Sequence, residues 1–262
     1  MKLRAGQRSD SAGLPTIPWV RRSLLAATAV AVAVSLGTPA GEDPSRAASA
    51  GAAAADLRPK IQVRAIPFGP KRKRQMAAYS ARHYGERTWR LRRPRVIVQH
   101  MAQAPTVSAI YDTFARNVAD PELGELPNVC AHFVVSRRGR ILRLVNLRTR
   151  CRHTVGLNWT AIGIEHVGYG DGDVLGNRRQ LRASLELTRW LRCRYGIRVR
   201  DVIGHRESLR SPYHRERVPG LRNQTHGDWR NASMRPYRRK LRRRTCPKAT
   251  AVDFASARSS FR

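Results

Sequence analysis

The stretch RVIVQH, residues 95–100, is a short apolar run that ends in a histidine. Its centre is rich in β-branched residues, and this length and composition are typical of a buried strand. A second stretch, RDVIGH at residues 200–205, has the same form and also ends in a histidine. If the two strands are neighbours in one sheet, His100 and His205 project from the same edge, where two imidazoles can bind a metal.

The sequence around these strands predicts further helices and strands. Residues 107–118 place apolar side chains on one face of a 3.6-residue period, and Pro105 and Thr106 open this helix. Residues 132–136 and 141–145 predict a hairpin with Gly139 in its turn, and residues 162–167 predict another strand. Residues 180–195 predict a helix that stops at Gly196. We therefore expect an α/β fold, a single domain with a mixed central β-sheet flanked by helices.

The chain has 262 residues, enough for one sizeable α/β domain with tails. Residues 1–40 are interpreted as an export signal, because Arg21 and Arg22 precede an apolar run, 24–36, that is too short for a comfortable membrane span. Thr38-Pro39-Ala40 is a candidate cleavage site, and VRRSLL at 20–25 resembles a twin-arginine signal. An uncleaved signal anchor is the alternative.

The remaining chain divides by composition. Residues 41–87 are expected to be an Ala/Gly-rich and then basic linker, which includes the run KRKR at 71–74. Residues 88–246 are expected to form the folded domain, and residues 247–262 a disordered tail. The product would be secreted or associated with the cell wall, without a stable membrane span once the signal is removed.

Four cysteines, Cys130, Cys151, Cys193 and Cys246, give three possible pairings. An even number in an exported chain favours disulfides. Cys130–Cys151 is the preferred pair, because these residues flank one predicted hairpin. The chain has no CxxC motif, so a thiolate zinc cluster is poorly supported.

The charge is strongly positive, with 51 Lys and Arg against 18 Asp and Glu and a formal net charge of +33. Attraction to a polyanion, such as nucleic acid or the anionic polymers of a cell envelope, is one interpretation. A GC-rich genome, which favours arginine and alanine codons, is the other. No motif interleaves aromatic with basic residues, so we expect no specific nucleic-acid partner.

Five stretches occur in a set order along the chain: VIVQH (96–100), AHFVVSRRGRI (131–141), RHTVG (152–156), NWTAIGIE (158–165) and VIGH (202–205). In this order they resemble the zinc-dependent N-acetylmuramoyl-L-alanine amidases of the type 2 family, which share their fold with the peptidoglycan recognition proteins. The resemblance covers roughly residues 90–240.

The resemblance implies a Zn2+ ion in a surface groove and hydrolysis of the amide that joins N-acetylmuramic acid to L-alanine in peptidoglycan. It implies that His100 and His205 are zinc ligands and that Glu165 is the acid that works with the attacking water. His153 and Asn158 match positions that line the substrate groove. A non-catalytic peptidoglycan-binding module of the same fold is the alternative function.

The third ligand is where the chain departs from the family pattern, in which a lysine precedes the ligand by two residues. HGD at 226–228 is aligned with that motif, which makes Asp228 the third zinc ligand and puts His226 in the place of the lysine. As a cation, His226 would stabilise the developing oxyanion. Two alternatives stay open: His226 binds the metal itself, or the more distant His214 does.

Three other histidines are expected to lie outside the chemistry. His132 is predicted to make structural hydrogen bonds, and His166 follows Glu165 on a strand, so its side chain points to the opposite face. No role is predicted for His83. The predicted partners are peptidoglycan and anionic cell-wall polymers, and we expect a monomer.

Overall fold

The computed structural model describes residues 57–247. Its strands are β1 (Ile61–Val63), β2 (Val96–Met101), β3 (Phe133–Val135), β4 (Ile141–Arg143), β5 (Ala161–His166) and β6 (Val202–Gly204). Its helices are α1 (Pro70–Tyr84), α2 (Val107–Ala115), α3 (Asp171–Gly176), α4 (Arg178–Tyr195) and α5 (Asn231–Arg242), with short 3-10 turns at Val199–Asp201, His205–Arg210 and Pro219–Leu221. The predicted export signal and nearly all of the predicted tail lie outside the described residues.

The six strands form one sheet in the order β1-β4-β3-β5-β2-β6. Only the β3–β4 hairpin is antiparallel, and the other four strand pairs are parallel. Every residue of β2 and β5 is buried, as expected for central strands that are covered on both faces. The predicted mixed sheet flanked by helices is confirmed, and β2 and β6 are neighbours.

Alternation along the strands divides the core into two layers. Phe133 and Val135 pack in one buried cluster with residues of α4 and α5. Val134 points to the opposite face, where it packs in a second cluster with residues of α2. On β5, His166 lies on the α4 side, bonded to Ser184, as its position next to Glu165 predicts.

The predicted linker over residues 41–87 is wrong for its second half. β1 extends the sheet beside β4, and α1 packs on the domain. The basic run at 71–74 is part of an amphipathic helix. One face of this helix is buried, and its buried residues include Arg72, Met76, Tyr79 and His83. The Arg72 guanidinium donates to the carbonyls of Phe114 (2.8 Å) and Asn128 (3.1 Å), so this arginine is a structural residue of the domain.

The remaining local predictions agree with the structure except at the end of α2, which stops at Ala115 rather than at residue 118 and leaves Val118 exposed. Thr106 caps α2 by accepting a hydrogen bond from the Ala109 amide, and α4 ends at Gly196 in the left-handed conformation. In the β3–β4 turn, Gly139 has a φ of 77°, and a Cβ there would press on the Arg179 carbonyl.

Two disulfides join the four cysteines: Cys130–Cys151, the preferred pair, and Cys193–Cys246. The second attaches the segment after α5 to the end of α4. The domain therefore extends to Cys246. Within residues 57–247, no helix combines the length and apolar character needed to cross a membrane.

Candidate metal centre and catalytic cleft

The ends of β2 and β6 place two imidazoles side by side. The strands are parallel neighbours, with Gln99 opposite Gly204. The residue that follows each of these two is a histidine, so His100 and His205 lie at the same edge of the sheet. The Nδ1 atoms of His100 and His205 lie 3.1 Å apart, and both rings are nearly buried.

Asp228 completes a group of three donors. Its Oδ1 lies 3.3 Å from His205 Nδ1, and its Oδ2 lies 3.9 Å from His100 Nδ1. Ligands of a tetrahedral zinc, with bonds of about 2.0–2.1 Å, are separated by about 3.3–3.4 Å. The donor spacing and the donor types, two imidazoles and one carboxylate, therefore fit zinc, and all four cysteines are held in disulfides.

The loop that carries Asp228 is fixed from both sides. Asp228 Oδ2 accepts a hydrogen bond from the Met101 amide (2.9 Å), just beyond His100. The next residue, Trp229, is fully buried with a φ of 51°, and its amide donates to Asp171 at the start of α3 (2.7 Å). Gly204 lies under this loop, where a Cβ would collide with the Trp229 carbonyl oxygen. Burial opposes ionisation of Asp228, but the hydrogen bond and charge of His205 together with backbone hydrogen bonds outweigh it and lower the pKa of this carboxyl.

A second ring of contacts sets the tautomer of His100. His153 Nε2 faces the Ala161 carbonyl oxygen at 3.4 Å and donates to it, which leaves its Nδ1 as an acceptor. That atom lies 3.1 Å from His100 Nε2, so His100 donates there and keeps the Nδ1 lone pair for a metal. Burial, followed by the neighbouring histidine rings, lowers the pKa of both His100 and His153 well below the ordinary value.

Glu165 stands beside this centre on β5, directly opposite His100 in the register of the sheet. Its side chain is nearly buried, and its Oε2 has no hydrogen-bond partner among the described residues. Burial, with a smaller contribution from the negative charge of Asp228, raises the pKa of Glu165 to about 8. A buried oxygen without a partner indicates that another group, such as water or substrate, is bound there during function.

His226 lies at the rim of the centre. Its ring stacks on His205, with centroids 4.7 Å apart and an interplanar angle of 10°. Its Nε2 lies 3.1 Å from Glu122 Oε2, and Gln224 donates to the other oxygen of the same carboxylate (2.9 Å). His226 is half-exposed, and the sequence did not indicate its carboxylate partner.

The two predicted groove residues have most of their polar atoms bound within the protein. Asn158 accepts from the amides of His153 (2.8 Å) and Thr154 (2.7 Å) and donates to the Tyr79 hydroxyl. Both His153 and Asn158 line the cleft, but Asn158 mainly shapes the loop that holds His153.

The other histidines are placed as follows. His132 donates through Nε2 to the Thr149 carbonyl and accepts at Nδ1 from the Gly163 amide, the structural role that its position predicts. His166 donates through Nδ1 to the carbonyl of His100. His214 does not line the cleft. His83 is fully buried between Glu125 and Glu216, a contact that the sequence did not indicate.

The metal centre opens into a cleft of about 380 Å³. One wall is the segment 118–130, which Arg152 holds through an ion pair to Asp120 (2.7 Å) and hydrogen bonds to the carbonyls of Glu125 and Pro127. Tyr79 of α1 also lines the cleft. The sequence pattern did not predict Tyr79 as a wall residue, because the segment that forms α1 was predicted to be linker. The signal was present, since Met76, Tyr79 and His83 recur at helical spacing.

The sequence of this chain matches the model of a known protein family. The family model described as N-acetylmuramoyl-L-alanine amidase (Amidase_2) matches residues 90–221, half of the chain. The match includes His100, His153, Glu165 and His205 and ends before His226 and Asp228. No curated protein matches the chain at a significant level.

Several solved structures are similar to this chain. The N-acetylmuramoyl-L-alanine amidase LysC from Clostridium intestinale is 18% identical, covers 71% of this chain and 99% of its own, and has a TM-score of 0.46. A mutant endolysin from Bacillus subtilis is 15% identical over 70% of this chain and 99% of its own, with a TM-score of 0.42. The amidase AmiD from E. coli, solved with a muramyl-peptide substrate, is 21% identical over 44% of this chain and 49% of its own, with a TM-score of 0.35. Family membership rests on the match over residues 90–221, because TM-scores this low do not establish it.

Proposed function

The chain belongs to the N-acetylmuramoyl-L-alanine amidase family, and we propose that His100, His205 and Asp228 bind the zinc ion that serves its activity. The activity is hydrolysis of the amide bond between N-acetylmuramic acid and L-alanine in peptidoglycan. The observation that carries the zinc proposal is the convergence of the three donors, whose ligand atoms all lie within 4.8 Å of one another.

When bound, zinc would lower the pKa of its water ligand to about 7 and would polarise the scissile carbonyl. Three protein ligands leave a fourth position open, which is the arrangement of catalytic rather than structural zinc sites. The segment 118–130 and Tyr79 enclose one side of the cleft and restrict access of bulk water to the reacting atoms.

Glu165 is proposed to take a proton from the attacking water at Oε2 and to pass it to the leaving amine of L-alanine. Its pKa is about 8 without a cation nearby, and the positive charge of a zinc ion held by His100, His205 and Asp228 would lower that pKa and keep the carboxylate ionised near neutral pH. This oxygen has no competing hydrogen-bond donor among the described residues, and it lies next to His100 in the sheet. The role requires hydrogen-bond reach to a bound water, and Glu165 lines the same cleft as His100, His205 and Asp228.

His226 is proposed to stabilise the negative charge that develops on the carbonyl oxygen. Its stacking on His205 supports this role, and since Glu122 occupies Nε2, Nδ1 is the atom left for substrate. His153 and Asn158 are proposed to act on substrate as part of the cleft wall, and His153 also by orienting His100.

Export through residues 1–40, a cell-wall location and attraction to anionic wall polymers are also proposed. The net charge of +33 supports the attraction, since electrostatic steering raises the local concentration of an anionic partner.

The zinc proposal is tested with His205→Ala, with His214→Ala as the control. We expect the first variant to lose bound zinc and to release peptide from purified peptidoglycan at least about 1,000-fold more slowly, because the residual site has two ligands. The control should keep both properties. A His205→Ala variant that cleaves at the wild-type rate would contradict the assignment, and a wild-type protein that binds no zinc would favour peptidoglycan recognition without cleavage.

A further inference from the structure

A furrow between α4 and the end of α5 is lined almost entirely by cations. Its volume is about 790 Å³, and its apolar floor consists of Leu181 and Leu185. The cations that line it are Arg178, Arg179, Arg182, Lys240, Arg243 and Arg244. Within the described residues, no residue that lines the furrow is acidic, and none of them lines the catalytic cleft.

These charges are poorly compensated. Five of the six side chains are exposed, and within residues 57–247 only Arg182 has a carboxylate in reach, that of Glu186 at 4.0 Å. Charges closer than the Debye length, about 8 Å at physiological salt, repel one another with little screening. The furrow is therefore a concentrated positive site even on a chain with a high overall charge.

The position of the cations on α4 disfavours the folded helix. Arg178 and Arg179 lie in its first turn, which contains no acidic residue. The amino end of a helix carries about half a positive charge, so anions are stabilising there and cations are not. The Asn177 side chain already accepts from the amides of Arg179 and Gln180, so an anion bound beside this helix end would be held mainly by the arginine side chains.

Two contacts hold the walls of the furrow together against this repulsion. The Cys193–Cys246 disulfide joins the end of α4 to the segment that follows α5. Arg189 adds two hydrogen bonds to the Thr245 carbonyl, from Nε (2.9 Å) and from the terminal nitrogen (2.7 Å). Arg243 and Arg244 are thus held next to α4, and binding of an anion needs little further ordering of the backbone.

We propose that this furrow binds a linear, phosphate-bearing polyanion of the cell envelope and holds the enzyme on the wall while the separate cleft acts on peptidoglycan. Arginine forms paired hydrogen bonds to phosphate, and two cationic walls suit a chain with repeated phosphodiesters. Among residues 57–247 no aromatic side chain lines the furrow, so these residues offer single-stranded nucleic acid no surface for base stacking. The inference rests on the proposed cell-wall function.

The test compares two variants of the full chain that carry equal charge changes. The furrow variant is Arg179→Glu, Arg182→Glu, Lys240→Glu and Arg243→Glu. The control variant reverses four exposed arginines in a different basic cluster, beside Glu86 and Trp159: Arg87→Glu, Arg92→Glu, Arg93→Glu and Arg95→Glu. The probes are poly(glycerol phosphate) and single-stranded DNA of equal total charge, with Kd measured at fixed salt.

We expect the furrow variant to bind poly(glycerol phosphate) at least about tenfold more weakly than the control variant, since four adjacent contacts are lost together. DNA binding should fall equally in both, because it follows the overall charge. Equal loss of polymer binding in the two variants, no polymer binding by the wild type, or furrow-dependent binding that is tighter for DNA would each overturn the proposal.

Two further measurements keep the test decisive. Both variants should hydrolyse a small soluble muramyl peptide at the wild-type rate, so failure of the amidase function is detected separately from failure of the furrow. If the glutamate variant does not fold, glutamine at the same four positions removes the same cations and keeps the helix propensity. The glutamine variant is held to the same tenfold criterion against a glutamine control.

Discussion

The metal centre and the cluster around His83 both bring buried imidazoles against carboxylates, yet the pKa values of His100 and His83 shift in opposite directions. At His83, burial opposes protonation, but hydrogen bonds to Glu125 and Glu216 outweigh it and raise the pKa. At His100, burial and the neighbouring rings His205 and His153 lower the pKa well below the ordinary value. Both histidines are almost completely buried.

The difference lies in how the ring nitrogens are used. His83 places Nδ1 3.0 Å from Glu216 and Nε2 3.0 Å from Glu125. A protonated ring therefore donates one hydrogen bond to each of the two carboxylates. His100 uses Nε2 to bond His153 and turns Nδ1 toward His205 and Asp228. The first cluster pairs a protonated ring with carboxylates, whereas the second directs its donor atoms toward one point, an arrangement that suits a divalent metal.

Glu165→Gln should produce the largest effect, because it changes the oxygen that the metal centre leaves without a partner. We expect peptidoglycan hydrolysis to fall about 10²- to 10⁴-fold while bound zinc is unchanged, since glutamine has the same shape but takes up no proton. Activity assays and metal analysis on the same preparation measure both. Activity within about threefold of wild type would remove Glu165 from the proton transfer.

His153→Leu and His153→Asn distinguish orientation of the metal ligand from simple packing. Leucine removes the acceptor for His100 Nε2, and we expect zinc affinity to fall about 10- to 100-fold. Asparagine carries its oxygen near the position of the lost Nδ1 and should restore most of that affinity. Competition with a chelator gives the zinc Kd. Equal affinities for the two variants would mean that His153 does not set the tautomer of His100.

His83→Gln should leave zinc binding intact and reduce stability. We expect a loss of about 2 kcal/mol for the hydrogen bonds to two buried carboxylates, or about 4–8 °C in Tm for a domain of this size. Thermal unfolding followed by circular dichroism measures the loss. A variant as stable as the wild type would show that the contacts of His83 with Glu125 and Glu216 contribute nothing to the stability of the fold.

The pH dependence of this loss follows from the directions of the pKa shifts. The raised pKa of His83 means that its contribution is complete below the unfolded-state pKa of about 6.5 and is lost as pH rises through the folded value. Glu125 has a lowered pKa, because its bonds to His83 outweigh burial, so its share is complete above about pH 4.3 and is lost below the folded value. The gap in Tm between wild type and His83→Gln should therefore be wider at pH 6 than at pH 9.

His214→Gln is the control for this pH dependence. Burial lowers the pKa of His214, so protonation at acid pH costs the folded state stability, and this cost disappears in the variant. The difference in Tm between wild type and His214→Gln should therefore shrink or change sign as the pH falls, which is the opposite of the trend for His83→Gln. The same trend in both variants would trace the pH dependence to the rest of the protein.

Glu122→Gln should have the smallest effect. Its contact with His226 joins two half-exposed side chains, with 51% and 44% of their surfaces accessible, and such pairs contribute about 0–1 kcal/mol. We expect kcat/KM to change by less than about fivefold. A loss as large as that in His226→Ala would indicate that Glu122 is needed to place the His226 ring.

The sequence by itself determined the features that depend on local periodicity. A β-branched run predicts a buried strand, and a residue at its end emerges at the sheet edge, which predicted this position for His100 and His205. That the two strands are neighbours was a condition of the prediction, and the tertiary structure met it. Alternation along β5 put Glu165 and His166 on opposite faces. The helical period placed α2 and α4, and the hairpin predicted the Cys130–Cys151 pair. Each of these patterns is encoded within a few neighbouring residues.

The tertiary structure decided everything that depends on contacts between distant segments. The spacing of Met76, Tyr79 and His83 predicts a helix, but only packing explains why Arg72 lies on its buried face, where it donates to carbonyls more than forty positions away. The position of Asp228 depends on Trp229, Gly204 and Asp171, and the tautomer of His100 on His153 and Ala161. Hydrogen bonds of this kind form only after the chain has folded, and the residues that make them carry no local pattern.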